Sequence, residues 1–182
     1  MIKDKAMRSK AHAVSVALCC ALAAIGAQAN AEPIQPSAYH YSLPMALALE
    51  AASEAVQVCA RNGYAVTATV VDMDGIPQVT LRGDGATVHT RESSFQKAYA
   101  VITLGPMFSF DSSAALFELV KTNPYAPRLA TVTNVMALPG AVAFKSGHAI
   151  VAALGVGGAP GGDKDEVCAR AGVARVASRI PN

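Results

Sequence analysis

Tyr64-Ala65-Val66-Thr67-Ala68-Thr69-Val70-Val71-Asp72-Met73-Asp74-Gly75-Ile76-Pro77-Gln78-Val79-Thr80-Leu81-Arg82 is the stretch on which the fold turns. Tyr64 to Val71 is β-branched and alternating, Asp74-Gly75 is a two-residue turn signal, and Ile76 to Arg82 resumes the alternation. Such a run folds back on itself as an antiparallel hairpin. Pro77 has no N–H to give to a ladder, so the second strand begins irregularly or lies at a sheet edge.

Working outward, a helix precedes the hairpin. Ser42 and Pro44 have the chemistry of a helix start. Met45, Leu49, Ala52, Val56 and Cys59 recur at spacings of four and three, and Asn62-Gly63 closes the run. After the flexible Gly83-Asp84-Gly85-Ala86, Thr90 is placed to cap a second helix with Phe95, Ala98 and Ile102 inward and Gly105-Pro106 as its stop. A shorter helix runs from Asp111 or Ser112 to Asn123-Pro124, and a short strand is expected around Val132 to Met136. Ala141 to Phe144 and Ala149 to Val156 form a second hairpin about Ser146-Gly147. Gly155 to Gly162 leads into a last helix with Asp163 and Glu166 at capping-box spacing and Ala169, Val173, Val176 and Ile180 as its stripe. Hairpins in place of alternating βα units predict an α+β domain: a mainly antiparallel sheet of about five strands flanked by helices, profilin-like, and not a Rossmann fold.

The N-terminus reads differently. Lys3, Lys5, Arg8 and Lys10 precede an uncharged apolar run from Ala13 to Ile25, followed by Ala27-Gln28-Ala29-Asn30-Ala31. That order is a secretory signal, and the run is shorter than the about 20 residues a spanning helix needs. Residues 1–31 are read as the signal peptide, cleaved after Ala31 or Ala29, 32–42 as a lead-in and 43–182 as the domain. The chain is therefore expected in the periplasm or outside the cell, with no stable membrane insertion. Leu18 before Cys19 argues against a lipid anchor. Removing the net +3 of the first 31 residues from the total of +2 leaves about −1, with no basic surface for nucleic acid. Only Cys59 and Cys168 survive maturation, near the end of the first helix and the start of the last. In an oxidising compartment a disulfide between them and a pair of buried thiols both fit.

Several motifs point to chemistry and fail in detail. Gly155 to Gly162 lacks G-x-G-x-x-G, because Pro160 takes the third glycine's place, and no Lys-Ser/Thr closes a P-loop; tight packing at a strand-to-helix corner explains it. Ser94-Phe95-Gln96-Lys97 and Lys145-Ser146-Gly147 echo penicillin-recognising enzymes, but the two are too close in sequence and the chain too short for that two-domain fold. Asp72-Met73-Asp74-Gly75 opens like a calcium loop without its closing Glu, so a hairpin turn accounts for it. His40, His89 and His148 have no metal-site spacing. His89 stands on a rim, directly before the second helix, where a neutral imidazole can ligate iron or meet a ligand.

Val70-Val71-Asp72-Met73-Asp74-Gly75, Arg82-Gly83-Asp84-Gly85-Ala86 and His89-Thr90-Arg91-Glu92-Ser93-Ser94-Phe95-Gln96-Lys97-Ala98 together resemble the GlcG/HbpS-like family. So do Leu138-Pro139-Gly140-Ala141-Val142 and the run from Gly155 to Glu166. The resemblance spans about residues 43 to 180. It implies a self-assembling domain that binds haem or its iron, with haem degradation as a weaker label, and homo-oligomers. For haem it makes His89 the candidate axial ligand, Arg82, Arg91 and Lys97 candidates for the propionates, and Tyr99 and Met107 candidates for the walls of the slot. Without Cys-x-x-Cys-His there is no covalent attachment. The leading expectation is an exported, non-catalytic haem-binding protein for buffering, delivery or sensing. An enzyme acting on haem or a small organic acid, or an oligomeric accessory subunit, are the competing readings.

Overall fold

Two antiparallel hairpins lie side by side in the computed structural model, which describes residues 41–181. The expected signal peptide, most of the lead-in and His40 lie outside the described residues. The first hairpin is β1 (Thr67–Asp72) and β2 (Pro77–Arg82), the second β3 (Ala141–Ser146) and β4 (Ala149–Gly157). Their order in the sheet is β2-β1-β4-β3, every pairing antiparallel. Pro77 sits on the edge strand β2, where the ladder slips by one residue between Val70 and Val71. The segment 132–136, expected as a fifth strand, is not one. A 3-10 turn over Ala126–Thr131 and tight turns occupy that region, so the described sheet has four strands.

Helices cover both faces. α1 (Met45–Arg61) and α4 (Gly162–Val176) pack together on one side, and α2 (His89–Phe108) lies along the other, followed by α3 (Ser113–Thr122). Ala68 and Val70 of β1 face α1 and α4, with Leu154, Val156 and Phe144 completing that core. Thr67, Thr69 and Val71 face α2.

The inward face of α1 keeps Ala52, Val56 and Cys59 of the expected stripe but not Met45 and Leu49. Ala48, Ala51, Ala52, Ala55 and Cys59 are buried, whereas Met45 and Leu49 are exposed. The reason is proximity: a Cβ on Gly172 of α4 would stand 2.4 Å from the Ala51 carbonyl oxygen, so the two helices cross too closely for longer side chains. Ala169 belongs to the same contact and Ala174 points out. Cys59 and Cys168 are joined by a disulfide at this crossing, with Cα atoms 5.6 Å apart. At its far end Arg175 and Arg179 both hold Glu50, and Arg179 keeps that exposed carboxyl below its ordinary range.

Helix α2 is set down on glycine. A Cβ at Gly155 would fall 2.1 Å from the Ser94 carbonyl oxygen, and one at Gly157 would fall 2.2 Å from Ser93 Oγ. The packing reading of the glycine run is therefore the one the geometry supports. Polar contacts fill what remains: Thr67 and Thr90 hydroxyls meet at 2.7 Å, and Thr69 and Ser94 at 2.8 Å. The helix does not stop at Gly105-Pro106. It continues to Phe108 and ends at Ser109, whose φ is +58°. A proline in the last turn lacks only a single backbone bond, so the helix tolerates it.

Candidate functional site

The residues expected to form one site are distributed along α2. Its two ends lie about 27 Å apart from His89 to Met107, at 1.5 Å per residue. His89, Arg82 and Arg91 come together at the N-terminal corner, where β2 hands over to α2. All three are exposed. Thr87 Oγ1 lies 3.1 Å from His89 Nδ1. Arg82 clasps its own loop, with Nε donating to the Ala86 carbonyl at 2.7 Å and Nη2 reaching the same oxygen.

Lys97, expected to reach a propionate, has another place. It is 4% exposed, and its Nζ donates to Asp165 Oδ2 at 2.6 Å and to the Val156 carbonyl at 3.1 Å. Asp165 Oδ1 accepts from the Ala159 amide at 2.9 Å. Burial pushes the Asp165 carboxyl up, with Lys97 pulling against it. Glu166 does not close a capping box either: its Oε2 accepts from the amides of Ala114 and Gly140. The first turn of α4 is thereby fastened to α2, α3 and the entry to β3. Ser94 is buried in the same packing, its hydroxyl meeting that of Thr69 and donating to the Arg91 carbonyl.

Tyr99 lies midway along α2, its ring tilted at 53° against Phe95 at 5.6 Å and pressed against the turn at Gly75. Met107 is at the other end of the helix, 72% exposed. The residues there form the more concave feature. Because β1 and β4 are antiparallel neighbours, the β1–β2 and β3–β4 turns emerge at the same end of the sheet. Between them lies a cleft of about 560 Å³, within the range of small-molecule sites. Gly105, Pro106 and Phe110 line it from the end of α2, Met73 comes from one turn, and Lys145 and His148 come from the other hairpin. Lys145 Nζ and Asp111 Oδ2 meet at a loose 3.5 Å. Ile76, Met107 and Phe108 are exposed apolar side chains at this same end.

A thioether, an imidazole, an ammonium and the Asp111 carboxylate thus share a cleft of mixed polarity that local sequence reading did not assemble. Met73 and Lys145 were legible only as turn and motif fragments, and it is the strand order that brings them to His148. The Asp72 turn itself is a hairpin turn, Oδ1 accepting from the amides of Asp74 and Ile76. Among the described residues no three of His, Cys, Asp and Glu converge as a metal site, and no helix is long and apolar enough to cross a membrane.

A family model described as haem degrading protein HbpS-like matches residues 43–174. A crystal structure of a double mutant of HbpS from Streptomyces reticuli is 34% identical with a TM-score of 0.67, covering 74% of this chain and 86% of its own. Protein ORFY of Klebsiella pneumoniae is 18% identical with a TM-score of 0.68, over 79% of this chain and 97% of its own. PduOC in complex with haem is 19% identical with a TM-score of 0.65, over 74% and 95%. At those identities the last two speak to fold alone. No curated protein sequence matches the chain.

Proposed function

The chain belongs to the HbpS-like family, and from that premise we propose that it is an exported haem-binding protein that buffers, delivers or senses haem without turning it over. The observation that carries the reading is the cleft at the end of α2. A porphyrin needs an apolar slot, a cation for its propionates and one or two axial donors. Pro106, Phe110 and Ile150 supply the apolar lining, Lys145 a cation held loosely by Asp111, and His148 an imidazole. The residues present therefore fit the group.

His89 supports a second placement, because Thr87 meets its Nδ1, Nε2 has no partner among the described residues, and Arg82 and Arg91 are exposed at the same corner. That corner has an axial donor and propionate partners, but its exposed apolar side chain is Val88 alone among its immediate neighbours. Bound there, haem would need a second surface to cover it, and a homo-oligomer is part of the proposal for that reason.

The test uses protein recovered from outside the cytoplasm. Its mass should correspond to loss of the residues up to Ala29 or Ala31, and light scattering should give more than one subunit. Titration with hemin should shift the Soret band beyond the shift given by an unrelated carrier protein, and the band should persist under a reductant and air. An unshifted band removes the haem reading. A band that decays with release of iron replaces binding with degradation.

A further inference from the structure

Asp111 and Lys145 stand together in the wall of the cleft at the end of α2, and theirs is the loosest ion pair among the described residues. Nζ and Oδ2 are 3.5 Å apart, whereas the other pairs close to between 2.5 and 3.0 Å. Backbone, not mutual attraction, puts the two there. The Asp111 carbonyl accepts from the Ala143 amide at 2.8 Å, and Ser112 bridges to Val142 on β3. Lys145 lies on that same strand, just past the irregularity in its ladder with β4. Both side chains stay about half exposed, 60% for Asp111 and 44% for Lys145. A pair in that setting contributes little by itself, so a ligand that engages each charge separately gives up almost nothing on entering.

Beside the charges the wall is apolar and tightly closed. Phe110 is 9% exposed, and its amide donates to the Gly105 carbonyl at 3.1 Å. A Cβ on Gly105 would stand 2.6 Å from the Phe110 carbonyl oxygen and 3.0 Å from Ile150 Cδ1, so the end of α2 and β4 meet without a gap. The last turn of α2 contains no basic residue. The partial negative charge of a helix C-terminus favours a cation, and here it adds to the Asp111 carboxylate.

We propose that this cleft is a binding site for a free amino acid with a large apolar side chain. The ligand's ammonium lies against Asp111 and the helix end, its carboxylate against Lys145, and its side chain on Pro106, Phe110 and Ile150. A ligand of one charge sign matches half of this wall. A zwitterion matches both halves and brings no net charge. The cleft's volume of about 560 Å³ leaves room for such a side chain. The proposal goes beyond the haem reading and does not need it: haem at the His89 corner leaves the cleft free for this ligand, and haem in the cleft competes with it.

Isothermal titration calorimetry with three probes of one shape decides the matter: L-phenylalanine, 3-phenylpropionate, which lacks the ammonium, and phenethylamine, which lacks the carboxylate. L-Phenylalanine should bind the wild type about tenfold or more tightly than either, the discrimination of one charge-assisted hydrogen bond. The variants Asp111→Asn and Lys145→Gln change exposed side chains and should keep the far-UV circular dichroism and the unfolding midpoint. Each should weaken L-phenylalanine by about tenfold, and the preference between the other two probes should split. Asp111→Asn should favour 3-phenylpropionate, and Lys145→Gln should favour phenethylamine. A pair with a merely structural role would not move that preference. The proposal is overturned if L-phenylalanine shows no saturable binding, if the wild type takes all three probes equally, or if the variants leave the order of the probes unchanged. The wild-type comparison decides on its own should either variant fail to fold. Hemin titration of the same sample is read separately in the Soret band, so the haem reading and this one fail independently.

Discussion

Lys97 and Asp165 are the residues whose local setting departs furthest from what their types suggest. A lysine on a helix at S-x-x-K spacing reads as a solvated amine, yet its ammonium lies 2.6 Å from a carboxylate that is itself 2% exposed. Gly140 makes the pocket possible: its φ is +132°, and a Cβ there would stand 2.8 Å from Lys97 Nζ. Removing one member of a buried pair leaves the other's charge uncompensated, at about 3–5 kcal/mol. Lys97→Met should therefore destabilise the protein by about that amount at neutral pH, and adding Asp165→Asn should recover most of it. The sign with pH follows from the carboxyl. Burial already pushes Asp165 up and Lys97 opposes it, so the variant's folded state holds a proton more tightly than its unfolded chain. Its deficit should then shrink as the pH is lowered through that raised value, in urea unfolding at a series of pH values. A deficit that grows on acidification would refute this account.

At the scale of elements, the helix–sheet contacts are decided by small residues, and that is where sequence and structure part. Both hairpins, the edge position of β2, the bounds of α1 and α3 and the start of α4 were legible, because Asp74-Gly75, Ser146-Gly147, Ser112 and Asn62-Gly63 are local signals with local causes; α4 ends at Val176 and a 3-10 turn carries the chain on toward Ile180. The inward face of α1 was legible only in part, Ala52 and Cys59 lying on it and Met45 and Leu49 not. Periodicity weights size, and α1 turns its alanines inward against a glycine on α4. Helix α2 has almost no apolar stripe, since it buries Thr90, Ser94 and Lys97 alongside Ala98 and Val101. Segment 132–136 carries β-branched residues but no partner strand, and its propensity did not make a fifth strand. The expected site residues are spread for a related reason: those near one another in sequence along α2 run over its length, while Met73 and His148, 75 positions apart, line one cleft through strand order. Gly155→Ala tests the glycine contact. Its Cβ would collide with the Ser94 carbonyl, which is backbone and cannot swing aside. Thermal and denaturant unfolding should show a loss of about 1–3 kcal/mol, the range for overpacking. An unchanged midpoint would mean that α2 is not seated as described.

For the molecule as a whole, the bond between Cys59 and Cys168 spans 109 positions. By the chain-entropy model, closing a loop of that size stabilises by up to about 4–5 kcal/mol. All four strands, α2 and α3 lie inside the interval it closes, so that part of the chain is topologically a ring with two short tails. A ring cut once stays in one piece. The turn-rich stretch around Tyr125 and Arg128 offers exposed backbone for such a cut, and the two products would travel as a single species on a denaturing gel until a thiol reductant is added. The order of addition then matters: reduced first, the protein should unfold at lower denaturant and separate on nicking without further treatment. Nicked first, it should keep its fold, because one cut leaves the remaining connection and the core in place. Fragments that part without reductant would show that the ring is not closed in the protein. For a chain expected to live among secreted proteases, survival of a single cleavage is a form of durability separate from resistance to heat.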